Sequence, residues 1–402
     1  MMLMPVAEAL QRVLAAASAL PAETVALNDA LGRVLNDDMA ALRTQPPAAV
    51  SAMDGYAVRA ADVGLAPVTL TLIGEVAAGH PFEGEVGAGQ AARIFTGGVM
   101  PAGADTVVIQ ELTAREGDAV TIQKPTAKGR NVRDQGIDFA KDQILLRKGR
   151  RLTDRDLMLA AAMNHPTVRV HRRPKVAVLG TGDELVPPGS TPGPGEIVYS
   201  NGFALIAMAR SEGAEVIDLG IARDRIEDIA AAVRRARDWG ADILLTSGGA
   251  SVGEHDLVQR ALASEGLELS FWRVALRPGR PMMHGRLGAM QVLGVPGNPV
   301  SSYVCAFLFL VPLIRRLCGR DDVERAPEMA RLACDLPAND GRADYMRATL
   351  SPGPDGPIAT PLPVQDSSLM APLAKADCLL IREPNAPAAP AGSHCVILKL
   401  AL

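Results

Sequence analysis

Four short apolar runs alternate with helical patterns between residues 176 and 320, and each run ends in a polar or glycine-rich loop. The runs are Val176–Leu179, Val216–Ile221, Ile243–Leu245 and Val292–Val295. Strands that alternate with helices in this way are typical of a parallel sheet with helices on both faces. The sequence therefore predicts a doubly wound α/β domain over residues 173–325.

A different pattern precedes this domain. Short β-rich runs alternate with Gly-rich turns, which predicts an inserted β domain over residues 46–145. Apolar residues at helical spacing predict a helix over residues 5–20, and a capping box at Thr153–Asp156 predicts another. Because these helices flank the β unit, we expect one split helical and mixed domain, formed by residues 1–45 and 146–172.

The last part of the chain is rich in Pro and Gly and contains short strand patterns, the last of them at Cys395–Leu400. It predicts a small β domain over residues 326–402. The expected fold class is therefore α/β and β, in several domains.

Composition limits the classes of partner. Lys and Arg number 41 and Asp and Glu 45, a net charge of −4, which lacks the basic footprint that duplex nucleic acid requires. The longest apolar run, Val304–Ile314, contains Pro312 and is too short to span a bilayer. The five cysteines are odd in number and lack metal-ligand spacing, which indicates buried thiols in a reducing compartment. We expect a cytoplasmic protein that binds neither nucleic acid nor membrane.

Polar loops follow the predicted parallel strands, where open sheets of this class bind their ligands. The loop Thr246-Ser247-Gly248-Gly249-Ala250-Ser251-Val252-Gly253 combines backbone N–H groups with hydroxyls, as oxyanion sites do. Its spacing matches neither a Walker loop nor a dinucleotide fingerprint. The spacing alone leaves two interpretations open, an anion-binding loop and a tight strand-to-helix turn.

The segment Pro296-Gly297-Asn298-Pro299 suits a helix start, with Asn298 as N-cap and Pro299 as first helical residue. The exposed N-terminus of that helix would also favour a negative ligand. Nearby, Arg277-Pro278-Gly279-Arg280-Pro281 places two guanidinium groups around a rigid turn. Guanidinium groups bind oxyanions well, although a charged loop is more often simply solvated.

Several carboxylates have ordinary structural explanations. Asp54 precedes Gly55 as in an Asp-Gly turn, Asp224 suits a helix cap, and Asp256 suits the start of a helix. Together, however, these groups would supply oxygen ligands for Mg²⁺, which prefers carboxylates and substrate phosphates. The candidate catalytic carboxylates are Asp54, Asp138, Glu184, Asp224 and Asp256.

Six blocks in order resemble the molybdopterin molybdenumtransferase family, to which the C-terminal domain of gephyrin is related. The blocks are Ser51–Ala57, Arg93–Gly97, Thr181–Leu185, Thr246–Gly253, Arg277–Pro281 and Pro296–Ser301. The resemblance spans essentially the whole chain. It implies a homodimer of four-domain chains. Each chain would have a split helical domain, a β domain inserted in it, a nucleotide-binding-type α/β domain and a C-terminal β barrel. It also implies that adenylated molybdopterin, Mg²⁺ and molybdate react to give molybdenum cofactor and AMP.

The resemblance assigns site residues to both subunits. On the α/β side it implies nucleotide and pterin contacts from Thr246, Ser247, Gly248, Gly249, Ser251, Asp224, Pro296, Gly297, Asn298 and Pro299, with Glu184 and Asp256 as the acidic metal-binding positions. Asp54, Thr96 and Asp138 would come from the inserted domain of the partner subunit. The C-terminal domain would contribute Gln365, Ser367 and Ser368. A molybdopterin adenylyltransferase and molybdoenzyme maturation proteins are the implied protein partners.

The chain departs from the family pattern at two places. Arg273, Arg277 and Arg280 stand where the family often has lysine, which assigns these residues electrostatic roles because arginine does not exchange protons near neutral pH. Ser200-Asn201 suits the cap of a helix, and Tyr199 precedes this pair where an acidic residue is more usual in the family. Two other functions remain possible from the sequence: a non-catalytic scaffold like gephyrin's matching domain, and a molybdopterin adenylyltransferase.

Overall fold

The N-terminal segment forms a short helix and two strands. In the computed structural model, which describes residues 3–248 and 257–400, these are α1 (Val6–Ala15), β1 (Ala22–Ala26) and β2 (Met39–Ala40). α1 is shorter than the predicted helix over residues 5–20. It ends early because the chain turns toward a distant helix, where the N–H of Leu20 donates to the carbonyl of Leu317 at 2.9 Å.

The following segment is an all-β unit, as predicted. Its strands are β3 (Val50–Ser51), β4 (Gly55–Val58), β5 (Val68–Val76), β6 (Gln90–Ile94), β7 (Thr106–Ile109), β8 (Thr113–Glu116), β9 (Ala119–Ile122) and β10 (Val132–Arg133). Six of them form one mixed sheet in the order β7-β4-β6-β5-β9-β8, and β3 pairs with β10. Side chains alternate between two cores, so that Tyr56 and Val108 pack on one face and Ala57 and Val107 on the other.

The chain then returns to the first unit through β11 (Ile144–Leu146), α2 (Asp154–Ala162) and β12 (Thr167–His171). β11 pairs with β2 and β12 pairs with β1, so these segments from the two ends of the β unit share one core. The predicted capping box is also present, since Asp156 N–H donates to Thr153 Oγ1. We expected α1 to join this core, but it does not. Its apolar face, with Ala9 and Val13, packs into the α/β unit instead.

The α/β unit contains a six-stranded sheet with helices on both faces. Its elements are β13 (Lys175–Thr181), β14 (Leu185–Val186), β15 (Ile197–Val198), α3 (Asn201–Ser211), β16 (Glu215–Ala222), α4 (Ile226–Asp238), β17 (Ile243–Ser247), α5 (Leu257–Ser264), β18 (Glu268–Trp272), β19 (Leu276–Arg277), β20 (Met283–Leu287), β21 (Met290–Val295), α6 (Pro299–Cys305) and α7 (Val311–Leu317). The sheet order is β16-β13-β17-β21-β20-β18. The first four strands are the predicted parallel ones, and β20 and β18 extend the sheet in antiparallel direction.

One long helical segment runs through the core of this unit. α6 and α7 are joined by a π-helical turn, Ala306–Leu310, near Pro312, which has no N–H for a regular helical hydrogen bond. The whole segment, Pro299–Leu317, is long and apolar enough to cross a membrane, but 89% of its most apolar stretch is buried inside the molecule. It therefore has the burial of the core helix of a globular domain.

The C-terminal unit is a closed barrel. It consists of β22 (Glu328–Leu332), β23 (Ala343–Ser351), β24 (Ile358–Pro361), α8 (Met370–Lys375), β25 (Cys378–Arg382) and β26 (His394–Lys399). The strands pair in the order β23-β24-β22-β26-β25, and β25 closes the ring by pairing with β23. β19 of the α/β unit also pairs with β23, which fastens the barrel to the central domain. The multidomain fold class is confirmed.

The five cysteines are all free thiols. Four are buried as predicted, and burial raises the pKa of Cys318 to about 11 and that of Cys378 to about 12. Cys334 is exposed, because it lies in the turn just after β22, and here the prediction was wrong.

Candidate functional site

The carboxyl ends of the four parallel strands meet at one edge of the sheet, as the sequence predicted. β13 ends at Thr181, β16 at Ala222, β17 at Ser247 and β21 at Val295. The loops that follow these strands line a cleft of about 910 Å³. The predicted site residues that line it are Glu184, Asp224, Ser247, Gly248, Pro296, Gly297, Asn298 and Pro299. Gly249, Ser251 and Asp256 lie outside the described residues.

Asn201 joins two of these loops. Its side-chain Nδ2 donates to Ser247 Oγ at 2.9 Å and to the carbonyl of Gly297 at 2.7 Å. We predicted from the sequence that Ser200 and Asn201 cap helix α3, but no side-chain cap hydrogen bond is formed at this helix start. The amide instead bridges two loops that are far apart in the sequence, which is why local capping rules did not reveal its partner.

Gly248 allows the loop after β17 to approach β13 closely. Its φ of +103° lies in the region that favours glycine, and a Cβ atom here would lie 2.4 Å from the carbonyl oxygen of Thr181. Thr246 and Ser247 are buried behind it. The sequence left open whether this loop binds an anion or only makes a tight turn. Its described part, up to Gly248, makes a close approach at the cleft, and anion binding stays a prediction.

The helix start at Pro299 differs from its prediction in one detail. Asn298 is the N-cap and Pro299 the first helical residue, as predicted, but the Asn298 side chain makes no cap hydrogen bond. Its Nδ2 donates to Ser367 Oγ at 2.9 Å, while Val300 N–H donates to the carbonyl of Ser367. The side chain is therefore used to bind the C-terminal barrel.

The barrel thus completes one wall of the cleft. Ser368 and Met370 line it, and Ser200 Oγ donates to Met370 Sδ at 3.4 Å. Gln365 plays a different part, because its amide bonds the main chain of Arg347 and Leu362 within the barrel. Of the three barrel residues in the prediction, Ser367 and Ser368 lie at the cleft and Gln365 supports the barrel.

Two exposed carboxylates lie at the cleft, Glu184 and Asp224. Asp224 was predicted to cap helix α4, and this was wrong: the N-cap is Arg225, without a side-chain cap bond. The N–H of Asp224 instead donates to Asp183 Oδ1 at 3.2 Å, which ties together the loops after β13 and β16. Within residues 3–248 and 257–400, no group of three or more metal-binding side chains occurs.

Asp54 and Thr96 form a compact pair in the inserted domain. Thr96 donates to Asp54 Oδ1 from both its N–H, at 2.7 Å, and its Oγ1, at 2.8 Å. These bonds, together with the nearby charge of Arg93, lower the pKa of Asp54. Asp54 lies in a bend, as a turn residue would, but Gly55 is the first residue of β4 and not part of a turn. A Cβ at Gly55 would lie 2.0 Å from the carbonyl oxygen of Val108.

The inserted domain does not reach the cleft of its own chain. Asp54 and Thr96 are absent from the described cleft lining, and so is Asp138, an exposed residue whose N–H donates to the carbonyl of Gln45.

The three predicted arginines occupy different environments. Arg277 donates to Asp344, to Asp340 at 3.2 Å and to Asn339 at 3.0 Å, all in the barrel. The bond to Asp344 raises the pKa of Arg277, so this side chain is charged but already paired. It lines a smaller pocket of about 320 Å³, not the cleft.

Arg280 and Arg273 are not paired in this way. Arg280 is exposed, has no side-chain partner among the described residues, and adjoins Pro281, which lines the cleft. Arg273 has a left-handed φ of 80° and stacks on Trp272, 4.4 Å from the ring centre.

Sequence reasoning missed three residues at or near this site. Asn201 was assigned only as a cap. Tyr199 lines the cleft with a buried hydroxyl that has no hydrogen-bond partner in the described part of the chain, and burial raises its pKa to about 12. Arg347 is fully buried and donates to the carbonyl of Val364, while its Nε and Nη1 have no partner among the described residues. The only indication of Arg347 in the sequence was a charged residue inside a strand pattern of alternating apolar and polar residues.

Family models match nearly the whole chain in three parts. They are described as MoeA N-terminal region (domain I and II), residues 4–164; probable molybdopterin binding domain, residues 177–316; and MoeA C-terminal region (domain IV), residues 329–400. Among curated proteins, molybdopterin molybdenumtransferase of Haemophilus influenzae is 34% identical over 90% of both chains. That of Bacillus subtilis is 34% identical over 94% of this chain and 89% of its own. This chain belongs to the molybdopterin molybdenumtransferase family.

Solved structures agree with this family assignment. Two crystal structures of molybdopterin biosynthesis MoeA protein from Pyrococcus horikoshii superpose with TM-scores of 0.85 and 0.84. Their identities are 32% and 29%, and they cover 100% and 99% of this chain. The fold of the molybdenumtransferase family therefore extends over all four units of the chain.

Proposed function

We propose that this chain is a molybdopterin molybdenumtransferase that converts adenylated molybdopterin and molybdate into molybdenum cofactor and AMP. In this reaction water cleaves the phosphoanhydride bond between the adenylate and the pterin phosphate, which releases AMP. The two dithiolene sulfurs then replace two oxygens of molybdate, and these oxygens leave as water after taking up protons. The observation that carries the proposal is the cleft at the carboxyl ends of the parallel strands, built from glycine, hydroxyl and carboxylate groups in a member of this family.

The α/β wall of the cleft would bind the nucleotide and the phosphates. Ser247 and Gly248 offer a hydroxyl and a close backbone approach, and the adjoining Gly249 and Ser251 belong to the same predicted loop. Asn201 holds this loop against Gly297. Such a preformed cleft positions the reacting groups, which supplies a large part of the rate gain in transfer reactions.

Arg280, and not Arg277, would supply the positive charge that binds molybdate. Molybdate is a tetrahedral dianion, and an unpaired guanidinium binds such an ion more readily than one already paired with carboxylates. Arg280 is exposed beside the cleft, whereas Arg277 is held by Asp340 and Asp344. Arg277 would then act mainly by fastening the barrel.

The donor set of the cleft fits Mg²⁺, an ion usually held by one or two carboxylates together with substrate phosphates. Glu184 and Asp224 supply such oxygens, and Asp256 belongs to the same predicted set. Bound there, Mg²⁺ would neutralise phosphate charge.

The functional unit would be a homodimer in which Asp54, Thr96 and Asp138 complete the cleft of the partner subunit. Two features support this: these residues do not line the cleft of their own chain in the described structure, and the first unit exposes apolar side chains. Apolar side chains that stay exposed on one unit are candidates for an interface. They are Leu31, Leu42, Ile144 and Met158. We further propose a cytoplasmic setting, with a molybdopterin adenylyltransferase and molybdoenzyme maturation proteins as neighbours in the pathway.

A turnover assay tests this function. The purified full-length protein is incubated with adenylated molybdopterin, molybdate and Mg²⁺, and release of AMP is measured together with cofactor formation. We expect both products in equal amounts. Asp54→Ala and Asp256→Ala should retain fold and dimer but lose activity by about 100-fold, the scale of removing one electrostatic group from an active site.

Other outcomes identify the alternatives. Adenylation of free molybdopterin in the presence of ATP would mark the protein as an adenylyltransferase. Absence of any turnover by a folded dimer would favour a scaffold. If both carboxylate variants match the native rate, the assignment of these carboxylates is wrong.

A further inference from the structure

Arg93 occupies an unusual position in the inserted domain. It lies on β6, half-buried, with its guanidinium between two aromatic rings, 5.2 Å from the ring centre of Tyr56 and 4.7 Å from that of Phe95. Its Nη1 donates to the carbonyl of Gly55 at 3.0 Å, and its Nη2 donates to Gln110 Oε1 at 2.8 Å. Stacking and two directed hydrogen bonds together fix a guanidinium in one orientation.

Three of these four contacts adjoin the Asp54–Thr96 pair. Gly55 follows Asp54 in the chain, and Phe95 precedes Thr96. Gln110 also touches the pair from a third direction, because its backbone N–H donates to the carbonyl of Asp54 at 3.1 Å. One side chain therefore connects three segments, β4, β6 and the turn after β7, at the point where they hold the carboxylate.

We propose that Arg93 is a positioning residue, which holds Asp54 and Thr96 in the geometry needed for the transfer reaction without touching the substrate itself. The inference rests on the proposed function, which places Asp54 at the reacting centre. A charged, stacked arginine is more than the sheet needs for stability here, since the neighbouring strand residues already pack into an apolar core on each face. Its two hydrogen bonds and its contact with Phe95 all lead to residues next to or bonded to Asp54 and Thr96.

The test is a double-mutant cycle in the full-length protein. The kcat of cofactor formation is measured for Arg93→Met, for Asp54→Asn and for the double variant. A displacement of an active-site group by about 1 Å lowers rates by up to about 100-fold. We therefore expect Arg93→Met to lower kcat by about 10- to 100-fold with little change in KM. The double variant should match Asp54→Asn within about 2-fold, because residues that act as a unit are not additive.

Arg115→Met is the matched control. Arg115 is exposed on β8, at the far edge of the same sheet, where its Nε donates to the carbonyl of Gly117. We expect this variant to keep the native kcat, which separates the role of Arg93 from a general need for arginine in the domain.

Three results would overturn the proposal. In one, the double variant is slower than Asp54→Asn by the full factor seen for Arg93→Met, which would show that the two residues act independently. In another, Asp54→Asn matches the native kcat, which would remove both the positioning role and the assignment of Asp54. In the third, a crystal structure of Arg93→Met retains the two Asp54–Thr96 hydrogen bonds. That structure decides the positioning even if the native protein forms no cofactor and the proposed function fails.

Discussion

Single side chains decide whether the strands and loops of this protein can pack as they do. Gly55 is an example, because it lies on β4 with the carbonyl of Val108 so close that no Cβ atom fits. The glycine was predicted as part of a turn, but the requirement for it comes from the neighbouring strand β7. Asp54 directly precedes Gly55, so the close packing of β4 and β7 also positions a residue of the candidate site.

We expect Gly55→Ala to lower the free energy of unfolding by about 1–3 kcal/mol, the usual effect of overpacking a tight interior. The measurement is urea denaturation followed by circular dichroism. Gly64→Ala is the matched control in the same domain, because its Cβ would meet only one atom, 3.9 Å away. Equal stability of the two variants would contradict the close approach of β4 and β7.

Asn201 is the residue that most directly shapes the cleft. Replacing it with Ala removes hydrogen bonds to Ser247 and Gly297. With about 0.5–1.5 kcal/mol for each bond, we expect kcat/KM for cofactor formation to fall by about 10-fold. Asn36→Ala, which removes only an exposed bond to Asp37, should leave kcat/KM unchanged. A native value for Asn201→Ala would show that the two loops keep their positions without it.

At the scale of elements, a buried ion cluster joins α3, α7 and the segment that leads to the barrel. Glu212, at the end of α3, accepts two hydrogen bonds from Arg315 of α7, at 2.8 and 2.9 Å, and further ones from Arg320 and Arg325. Burial opposes ionisation of Glu212, but the three arginines more than offset it, so its pKa is lowered from the ordinary 4.5. The cluster therefore ties the end of α3 to α7 and to the segment that follows α7.

We expect Glu212→Gln to lower the free energy of unfolding by about 3–5 kcal/mol at pH 7, because it leaves buried arginines without their counter-charge. A lowered carboxyl pKa stabilises the folded state above pH 4.5, and this stabilisation is lost as pH falls through the lowered value. The difference between the native protein and the variant should therefore shrink below pH 4.5. Denaturation at pH 7 and at stepwise lower pH measures it.

Glu8→Gln is the control for this experiment. Glu8 pairs with Arg12 on the exposed face of α1 at 2.8 Å, and such surface pairs contribute at most about 1 kcal/mol. A loss for Glu212→Gln no larger than this, or one independent of pH, would mean that the cluster does not stabilise the junction.

At the scale of the whole molecule, the proposed site requires two chains. Met158 on α2 is 78% exposed and belongs to the apolar set on the first unit. We expect Met158→Asp to shift the protein from dimer to monomer and to lower turnover by the same factor, because the cleft would lose the carboxylates of the partner. Size-exclusion chromatography with light scattering, followed by the turnover assay, measures both effects.

Leu65→Asp provides the comparison, since Leu65 is 89% exposed in the inserted domain, away from the first unit. It should keep the native assembly and rate. A fully active monomer of Met158→Asp would rule out the shared site, whatever the assembly state of the native protein.

Features that depend on neighbours in the chain could be predicted from the amino-acid sequence. Apolar periodicity fixed the four parallel strands and the capping box at Thr153, because strand and helix patterns repeat within a few residues. The fold class followed from these patterns, with the closed barrel supplied by the family resemblance. The carboxyl ends of parallel strands must lie at one edge, so the cleft residues Ser247, Gly248 and Asn298 were also within reach of sequence reasoning.

The pairing of polar groups across domains could be read only from the folded arrangement of the chain. Arg277 meets Asp344, 67 residues further along the chain, and Asn201 meets Gly297, 96 residues further along. The apolar face of α1 likewise packs on the α/β unit instead of beside α2. A hydrogen bond or an ion pair forms wherever geometry brings donor and acceptor within about 3 Å, and that distance is set by the packing of whole domains, not by spacing along the chain.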